Sequence, residues 1–313
     1  AADCGADAIK LQTHIAEEES TLKEPWRIKF SDQDQTRYDY WKRMSFSKDL
    51  WRKLKKHAEK KNLVFLSSPF SEMAVKWLDD LGVEAWKVAS GELHNENLLK
   101  YMESTSKPII LSSGLSDLSQ SKNLVKRFDK RNIEVALLHC TTMYPTPAQE
   151  IGLNIFQNLK KNLPSHIPIG LSDHSGKIAP SIIATYLGAS IIEVHLTMHK
   201  KMFGPDVPSS LDPDQFLNLV ESVNFAFQMS ESQVSKSKQL NSLKVIKNIF
   251  SRSLVFNKNL RSGHILKKKD IGYKKPGGGL SYKELNYFLG RVIKKDVFKD
   301  EKIKLTDVVK SKK

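Results

Sequence analysis

Polar side chains suited to binding an anion and a metal ion lie at or near the carboxyl ends of seven β-rich runs of this 313-residue sequence. If the runs are parallel strands of one barrel, their carboxyl ends meet at one mouth and bring these side chains together. Lysines supply point charge and serine hydroxyls supply directional hydrogen bonds, which suits a phosphate and a carboxylate bound side by side. The side chains concerned are Lys10, Gln12, Ser67, Ser68, Lys87, Ser90, Glu92, Ser112, Ser113, His139, Thr142, Tyr144, Ser172, Asp173, His174, Glu193 and His195.

Two of these residues, His174 and His195, end successive runs and could meet on one divalent ion. Two imidazoles leave coordination positions open to water and substrate, as a catalytic metal requires. A single histidine at a strand end is more often structural, and His139 could equally be a core residue or a neighbour of the site. Ser113 is equally explained as a helix cap. The repeated placement nevertheless favours His174 and His195 as metal ligands.

The seven runs alternate with helical stretches, which is the order of a (β/α)8 TIM barrel. A closed barrel of this type needs one strand more, and we expect that strand upstream of residue 1. Helices are predicted at 47–62 and 71–82, each capped by a serine, and at 212–229, where Asp212 precedes Pro213. The runs are AIKLQT at 8–13, LVFLSSP at 63–69, AWKVAS at 85–90, PIILSS at 108–113, VALLHC at 135–140, IPIGLSD at 167–173 and IIEVHLT at 191–197.

The remainder of the chain predicts a linker and a small second domain. We assign residues 1–230 to the barrel, 231–250 to a linker on the strength of the polar stretch at 231–242, and 251–313 to a compact, mostly β domain. Within that domain, 258–271 resembles 295–308 at an offset of 37 residues, and PGGG at 276–279 predicts a flexible turn.

Charge is divided unequally along the chain. Residues 236–313 hold 22 Lys+Arg against 6 Asp+Glu, whereas the rest of the chain has a balance of −1. A basic segment of this kind can bind nucleic acid, steer anionic substrates or be a solvated surface. Nucleic acid is disfavoured, because the aromatic residues of the segment are not spaced as a stacking platform.

Cysteine content and hydropathy point to the cellular setting. The two cysteines, Cys4 and Cys140, are too few for a disulfide framework, so we expect a reducing, cytoplasmic environment. No apolar run approaches the roughly 18 residues of a membrane helix, so no membrane partner is expected.

Eight ordered motifs together resemble the N-acetylneuraminate (sialic acid) synthase family, including its legionaminate and pseudaminate synthase relatives. The second domain, with its KKPGGG turn at 274–279, is similar to the antifreeze-like (SAF) module of that family. The motifs are KLQT at 10–13, SSPF at 67–70, KVASGE at 87–92, ILSSG at 110–114, LLHCTTMYPTP at 137–147, GLSDHS at 170–175, EVHLT at 193–197 and GPD at 204–206.

This resemblance implies condensation of phosphoenolpyruvate with an N-acylated amino sugar, either N-acetylmannosamine or a diacetamido-trideoxyhexose. The product would be a nine-carbon 2-keto sugar acid, and phosphate would be released. A divalent metal, Mn²⁺ or Mg²⁺, and a domain-swapped homodimer are implied as well, with the second domain serving as a lid over the partner's site.

The resemblance also assigns roles to residues. His174 and His195 would bind the metal, and Gln12, Tyr144 and Asp206 would orient the sugar. Glu92, Asp173 and Glu193 would contact substrate hydroxyls or orient the histidines. Catalysis would centre on Lys10, Lys87, Glu193 and Asp206, with Thr142 and Lys275 as further substrate contacts. The residues implied to hold phosphoenolpyruvate are Lys10, Ser68, Lys87, Ser90, Ser112 and Ser172.

The sequence departs from the family pattern at three places. The glutamate carried by the family's first strand has no counterpart, Thr142 stands where Asn is frequent, and Lys275 stands where the lid turn often has Arg. Lysine keeps the positive charge of arginine but lacks the planar guanidinium that donates two parallel hydrogen bonds to one carboxylate. Two alternatives therefore stay open, namely another phosphoenolpyruvate-condensing barrel enzyme and a truncated, non-catalytic remnant.

Overall fold

The chain divides into two compact units in a computed structural model that describes residues 1–30 and 32–310. The first unit is Ala1–Ser232 and the second is Gln233–Lys313. No helix among the described residues is both long and apolar enough to cross a membrane.

The first unit is an α/β fold built on parallel strands. Strands β1 and β2 pair with each other, and β3 to β8 form a second sheet in chain order. All seven predicted runs form strands, which confirms the fold class as a parallel half-barrel; the short β8 was not predicted. The strands are β1 Ala8–Thr13, β2 Val64–Pro69, β3 Trp86–Val88, β4 Ile109–Ser112, β5 Val135–Cys140, β6 Ile169–Asp173, β7 Ile191–Leu196 and β8 Ser210–Leu211.

Helices between the strands cover the outer face of the sheets. Ser47 caps α3, Ser71 caps α4, and Asp212 forms a reciprocal capping box with Gln215 at the start of α9. These side chains satisfy backbone N–H groups that the first helical turn leaves free. The helices are α1 Ala16–Glu19, α2 Arg37–Met44, α3 Lys48–Lys60, α4 Glu72–Leu81, α5 Glu96–Ser104, α6 Leu118–Asp129, α7 Leu153–Asn162, α8 Ala179–Tyr186 and α9 Pro213–Glu231.

A continuous apolar core lies between these helices and the strands. Phe65, Trp86, Phe128 and Phe156 are almost fully buried in it. Burying side chains of this size stabilises the fold by about 2 to 3 kcal/mol each. The indole N–H of Trp86 donates to the Thr105 hydroxyl at 2.8 Å, so the ring is buried without losing a hydrogen bond. The core thereby fixes the strand ends that carry the polar residues.

The long connection between β1 and α3 is held by aromatic contacts. The His14 ring stacks between Trp41 and Phe70, with centroids 3.9 Å and 4.3 Å away. Further along, the described residues of the 20–36 segment contain no helix or strand. Phe30 in that segment packs against Tyr40 of α2 at 5.3 Å.

The second unit is small and built mainly from short antiparallel strand pairs. Strand β9 pairs with β10 and β11 pairs with β12. The predicted linker, 231–250, contains two short helices that were not predicted. Residues 311–313 of the predicted second domain lie outside the described residues. The elements are α10 Lys236–Ser242, α11 Lys244–Phe250, β9 Ser253–Phe256, β10 Ile271–Lys274, α12 Leu285–Phe288, β11 Val292–Ile293 and β12 Val308–Val309.

The 37-residue repeat has matching structural roles in its two copies. Leu260 and Val297, which occupy equivalent positions, exchange both backbone hydrogen bonds at 2.9 Å. Asp270 accepts a hydrogen bond from the Lys267 backbone N–H at 3.0 Å, and Asp307 accepts one from Lys304 at 2.8 Å. Each aspartate therefore closes the same kind of 3₁₀ turn.

Candidate active site

A cluster of charged and hydroxyl side chains lies at the carboxyl ends of the strands in the first unit. Lys87 Nζ, from β3, donates to the Ser112 hydroxyl of β4 at 2.7 Å and lies 3.4 Å from Glu193 Oε1 of β7. Lys10 Nζ, from β1, lies 3.7 Å from the same carboxylate oxygen. The Ser172 hydroxyl of β6 donates to it at 2.9 Å. Five strands thus bring five predicted residues together.

The electrostatics of this cluster leave it positive. Lys87 is 3% exposed, and burial lowers the pKa of its ammonium group while Glu193 raises it. Burial alone would raise the pKa of Glu193, but Lys87 and Lys10 together lower it to about 2. One carboxylate therefore faces two cationic side chains, and the formal excess of positive charge suits an anionic ligand.

Two imidazoles lie beside this cluster. The ring centroids of His174 and His195 are 5.3 Å apart. The Thr141 carbonyl can only accept, so His174 Nδ1 donates to it at 2.9 Å and Nε2 carries the lone pair. Tyr144 stacks on His174 at 4.2 Å, and its hydroxyl lies 3.2 Å from that Nε2.

The protonation of the two histidines fits a metal ion. Burial lowers the pKa of His174 to about 4, and burial also lowers the pKa of His195. Both rings are thus neutral near pH 7, which is the form that binds metals. Residues 1–30 and 32–310 contain no group of three or more His, Cys, Asp or Glu that could hold an ion. The arrangement fits an ion held by two imidazoles, with its other positions left to water and substrate.

Hydroxyl groups line the strand ends next to the lysines. The Ser68 hydroxyl, at the end of β2, is buried and has no hydrogen-bond partner among the described side chains. Ser90 and Thr142 place their hydroxyls 3.2 Å apart. A Cβ atom at Gly114 would lie 2.2 Å from the Thr142 hydroxyl, so this position requires glycine for the two hydroxyls to approach.

Three more predicted site residues belong to or follow strands of the first unit. Gln12 lies in register with Ser68 on the adjacent strand, one residue before the end of β1. Glu92 accepts a hydrogen bond from the Asn95 amide at 2.9 Å, and burial raises the pKa of Glu92. Asp206 follows β7 and pairs with Arg27 at 2.6 Å.

Arg27 was not among the predicted site residues. Its guanidinium carbon lies 4.2 Å from the centroid of the Tyr144 ring, in addition to its ion pair with Asp206. The segment around Arg27 has no hydrophobic periodicity and no recognised motif, so the sequence carried no signal for it.

Three of the predicted site residues contact groups outside the lysine cluster. His139 Nε2 donates to the Ile151 carbonyl at 2.8 Å, which holds the connection after β5. Asp173 accepts from the Ser175 backbone at 3.1 Å and from its hydroxyl at 2.7 Å. Lys275 belongs to the second unit, where its Nζ lies 5.2 Å from the centroid of the Phe250 ring.

The glycine turn beside Lys275 is fixed by hydrogen bonds within the second unit. The Gly277 backbone N–H donates to the Asn248 carbonyl at 2.6 Å. The Ser253 hydroxyl donates to the Pro276 carbonyl at 3.0 Å and accepts from Gly279 at 2.9 Å.

A parallel α/β half-barrel with lysine, serine and histidine side chains gathered at the carboxyl ends of its strands defines the class of this protein. Comparison with known proteins gives its family. The NeuB family model matches residues 1–235, and the SAF domain model matches residues 251–309. The chain therefore belongs to the NeuB family and carries a SAF domain.

Relatives of known name extend over nearly the whole chain. N,N'-diacetyllegionaminic acid synthase from Campylobacter jejuni is 33% identical over 97% of this chain and 92% of its own length. Pseudaminic acid synthase from the same species is 31% identical over 94% of this chain and 85% of its own length. The N-acetylneuraminic acid synthetase of Leptospira borgpetersenii, solved in complex with citrate, has a TM-score of 0.66 at 28% identity and covers 79% of this chain and 84% of its own.

Proposed function

We propose that this protein condenses phosphoenolpyruvate with an N-acylated amino sugar to give a nine-carbon 2-keto sugar acid and inorganic phosphate. The observation that carries the proposal is the cluster of Lys10, Lys87 and Ser112 around Glu193, beside His174 and His195. The named relatives all make sugar acids of this kind, which supports the same reaction class here.

Phosphoenolpyruvate would bind at the lysine cluster. Lys10 and Lys87 supply charge for its phosphate and carboxylate, and the hydroxyls of Ser68, Ser112 and Ser172 supply hydrogen bonds. Glu193, with a pKa of about 2, stays ionised at neutral pH and holds both ammonium groups in place. The same residues would also neutralise the charge that develops on the phosphate as it leaves.

The sugar would bind on the side of Gln12, Tyr144 and Asp206, with its aldehyde toward the enol carbon of phosphoenolpyruvate. A carbon–carbon bond forms between them, and the aldehyde oxygen takes up a proton. Water then adds to the carbon that bears the phosphate, and the C–O bond to phosphate breaks to leave the keto acid.

A divalent ion, Mn²⁺ or Mg²⁺, is part of this proposal. His174 and His195 would hold it through their neutral imidazoles, and it would supply Lewis acidity toward the sugar aldehyde. We further propose a domain-swapped homodimer in which Lys275 and the 276–279 turn serve the partner's site.

The test is phosphate release from phosphoenolpyruvate by the full-length protein with Mn²⁺, using N-acetylmannosamine and each diacetamido-trideoxyhexose in turn. We expect release only when sugar and metal are both present, and its loss in His174→Ala. His166→Ala is the matched control, because His166 is an exposed histidine paired with Asp129 at 2.8 Å. Sugar-independent release, or none from a folded and metal-loaded protein, would favour another condensing enzyme or a non-catalytic remnant.

A further inference from the structure

Arg27 contacts both Tyr144 and Asp206, which lie far apart in the chain and at the same end of the site. Its Nη2 donates to Asp206 Oδ1 at 2.6 Å, and its guanidinium lies over the face of Tyr144 at 4.2 Å. Tyr144 therefore has the guanidinium of Arg27 on its ring and the imidazole of His174 stacked against it, with centroids also 4.2 Å apart. The orientation of the phenol depends on both neighbours.

The segment that carries Arg27 makes a second contact with the loop that carries Asp206. The rings of Phe30 and Phe203 lie 5.2 Å apart, and Trp26 and Tyr40 pack against Phe30 and against each other. The described residues of the 20–36 segment thus contact the 203–206 loop through this ring pair as well as through the Arg27–Asp206 ion pair. The ring pair holds the loop that carries Asp206 against the segment that carries Arg27, and so supports the ion pair.

The ion pair is poorly placed to serve stability alone. The side chains of Arg27 and Asp206 are 37% and 32% exposed, and ion pairs this accessible to water contribute little to folding. Its geometry is nonetheless specific, because a planar guanidinium can stack on a ring and donate in its own plane at the same time. A lysine could not make both contacts.

We propose that Arg27 is a positioning residue for the acceptor sugar, acting through Tyr144 and Asp206. It compensates the charge of the Asp206 carboxylate and holds the phenol of Tyr144 against His174. The inference rests on the proposed function, since it assumes that these two residues face the sugar. In the described structure Arg27 contacts Asp206 and Tyr144 and makes no hydrogen bond or ion pair with Lys10, Lys87 or the nearby serines, so we expect no role for it in binding phosphoenolpyruvate.

Substitution of Arg27 should change KM for the sugar much more than KM for phosphoenolpyruvate. Arg27→Ala should raise KM for the sugar about tenfold or more, which is the typical effect of losing a charge-assisted hydrogen bond, and should leave KM for phosphoenolpyruvate within about twofold. Arg27→Lys should fall between wild type and Arg27→Ala, because it keeps the charge and loses the stacking. Millimolar guanidinium should partly restore the sugar KM of Arg27→Ala and leave Arg27→Lys unchanged.

Lys29→Ala is the control on the same segment. Lys29 pairs only with Asp32 in the described structure, at 2.8 Å, and both side chains are mostly exposed. We expect wild-type KM values for both substrates and an unchanged Tm. The proposal would be overturned if Lys29→Ala raised KM for the sugar as much as Arg27→Ala does, or if Arg27→Ala left KM for the sugar unchanged. It would also be overturned if Arg27→Ala raised KM for phosphoenolpyruvate by the same factor as KM for the sugar.

A binding measurement separates failure of this inference from failure of the proposed function. Calorimetry with the alditol of the acceptor, which lacks the reacting aldehyde, reports sugar binding in the presence of phosphoenolpyruvate without turnover. Weaker alditol binding by Arg27→Ala than by wild type supports the role of Arg27 even if wild type releases no phosphate. Equal binding, or none by either protein, refutes it.

Discussion

Lys87 and Glu193 lie 3.4 Å apart although their strands are four positions apart in the sheet. In a flat sheet, strands at that separation would be about 19 Å apart, given roughly 4.8 Å between neighbours. The contact therefore requires the sheet from β3 to β7 to curl until its two ends face each other. The same curvature of the sheet brings Lys87 and Glu193 together and forms the mouth of the half-barrel.

Removing the ammonium of Lys87 should destabilise the first unit. Lys87→Met leaves the Glu193 carboxylate with Lys10 and Ser172 as its remaining partners, so we expect a loss of about 2 to 4 kcal/mol in the free energy of unfolding. Urea unfolding measures it. Lys61→Met is the control, because Lys61 pairs with an exposed Asp3 at 3.2 Å and should cost less than about 1 kcal/mol. Equal losses in the two variants would contradict the prediction.

A methyl group at Gly170 should also damage the half-barrel. A Cβ atom there would lie 2.2 Å from the Ile191 carbonyl oxygen and 2.5 Å from the Leu138 side chain, and the carbonyl belongs to a strand that cannot move freely. We expect Gly170→Ala to lower stability by about 3 kcal/mol or more, or to prevent folding. Gly91→Ala, where nothing lies within 4 Å, should leave Tm nearly unchanged. A stable Gly170→Ala protein would mean that β6 and β7 are not as close as described.

Acid should selectively destabilise the second unit through Asp270. Burial would raise the pKa of this carboxyl, but His264, the Lys267 backbone and Lys258 lower it to about 2. In the unfolded chain the pKa of an aspartate is higher, near 3.9. The ionised Asp270 carboxylate therefore adds about 2 kcal/mol to the free energy of unfolding above pH 5, and this contribution disappears as the pH falls toward 2.

The check is calorimetry of wild type and Asp270→Asn between pH 7 and pH 2. The stability difference should be largest at neutral pH and should shrink on acidification. Asp300→Asn is the control, because Asp300 is 57% exposed and pairs with Lys274 at the surface. A difference that does not vary with pH would show that Asp270 acts by shape rather than by charge.

Metal removal should abolish the proposed reaction without unfolding the protein. Treatment with a chelator should stop phosphate release, and Mn²⁺ or Mg²⁺ should restore it. Electron paramagnetic resonance of added Mn²⁺ measures binding directly, and we expect His174→Ala and His195→Ala to bind at least about tenfold more weakly. Unaltered Mn²⁺ binding by both variants would remove these histidines from the metal site.

The strands and most of the mouth could be predicted because each depends on local sequence. A β-rich run that carries Lys87 or Ser172 near its carboxyl end places that residue close to the mouth independently of the loops, since the carboxyl ends of parallel barrel strands lie at one end. The roles of individual polar residues were harder to assign. His139 lies near the end of β5 and His174 directly follows β6, and both strands are buried. Only the structure distinguishes the ring that donates to the Ile151 carbonyl from the ring that stacks on Tyr144.

Arg27 and the helices of the predicted linker were missed for a different reason. Arg27 is placed by aromatic packing of a segment whose described residues form neither helix nor strand, and such contacts join residues that are distant in the sequence. Helix α10 is polar and exposed, so no apolar stripe indicated it. Helix α11 does carry apolar residues, including Ile246 and Phe250, but its seven residues are too few to show a sustained helical period.

The repeat in the second unit has a consequence for how its halves hold together. Leu260 and Val297 are equivalent positions, and each donates to the other's carbonyl at 2.9 Å. Reciprocal contacts between equivalent residues are the mark of an isologous interface, as found in two-fold symmetric dimers. Here both halves belong to one chain, so the pairing does not depend on protein concentration. At this bridge, the SAF domain therefore has the reciprocal hydrogen bonds of a homodimer interface, and the two halves pair in an intramolecular equilibrium that dilution does not shift.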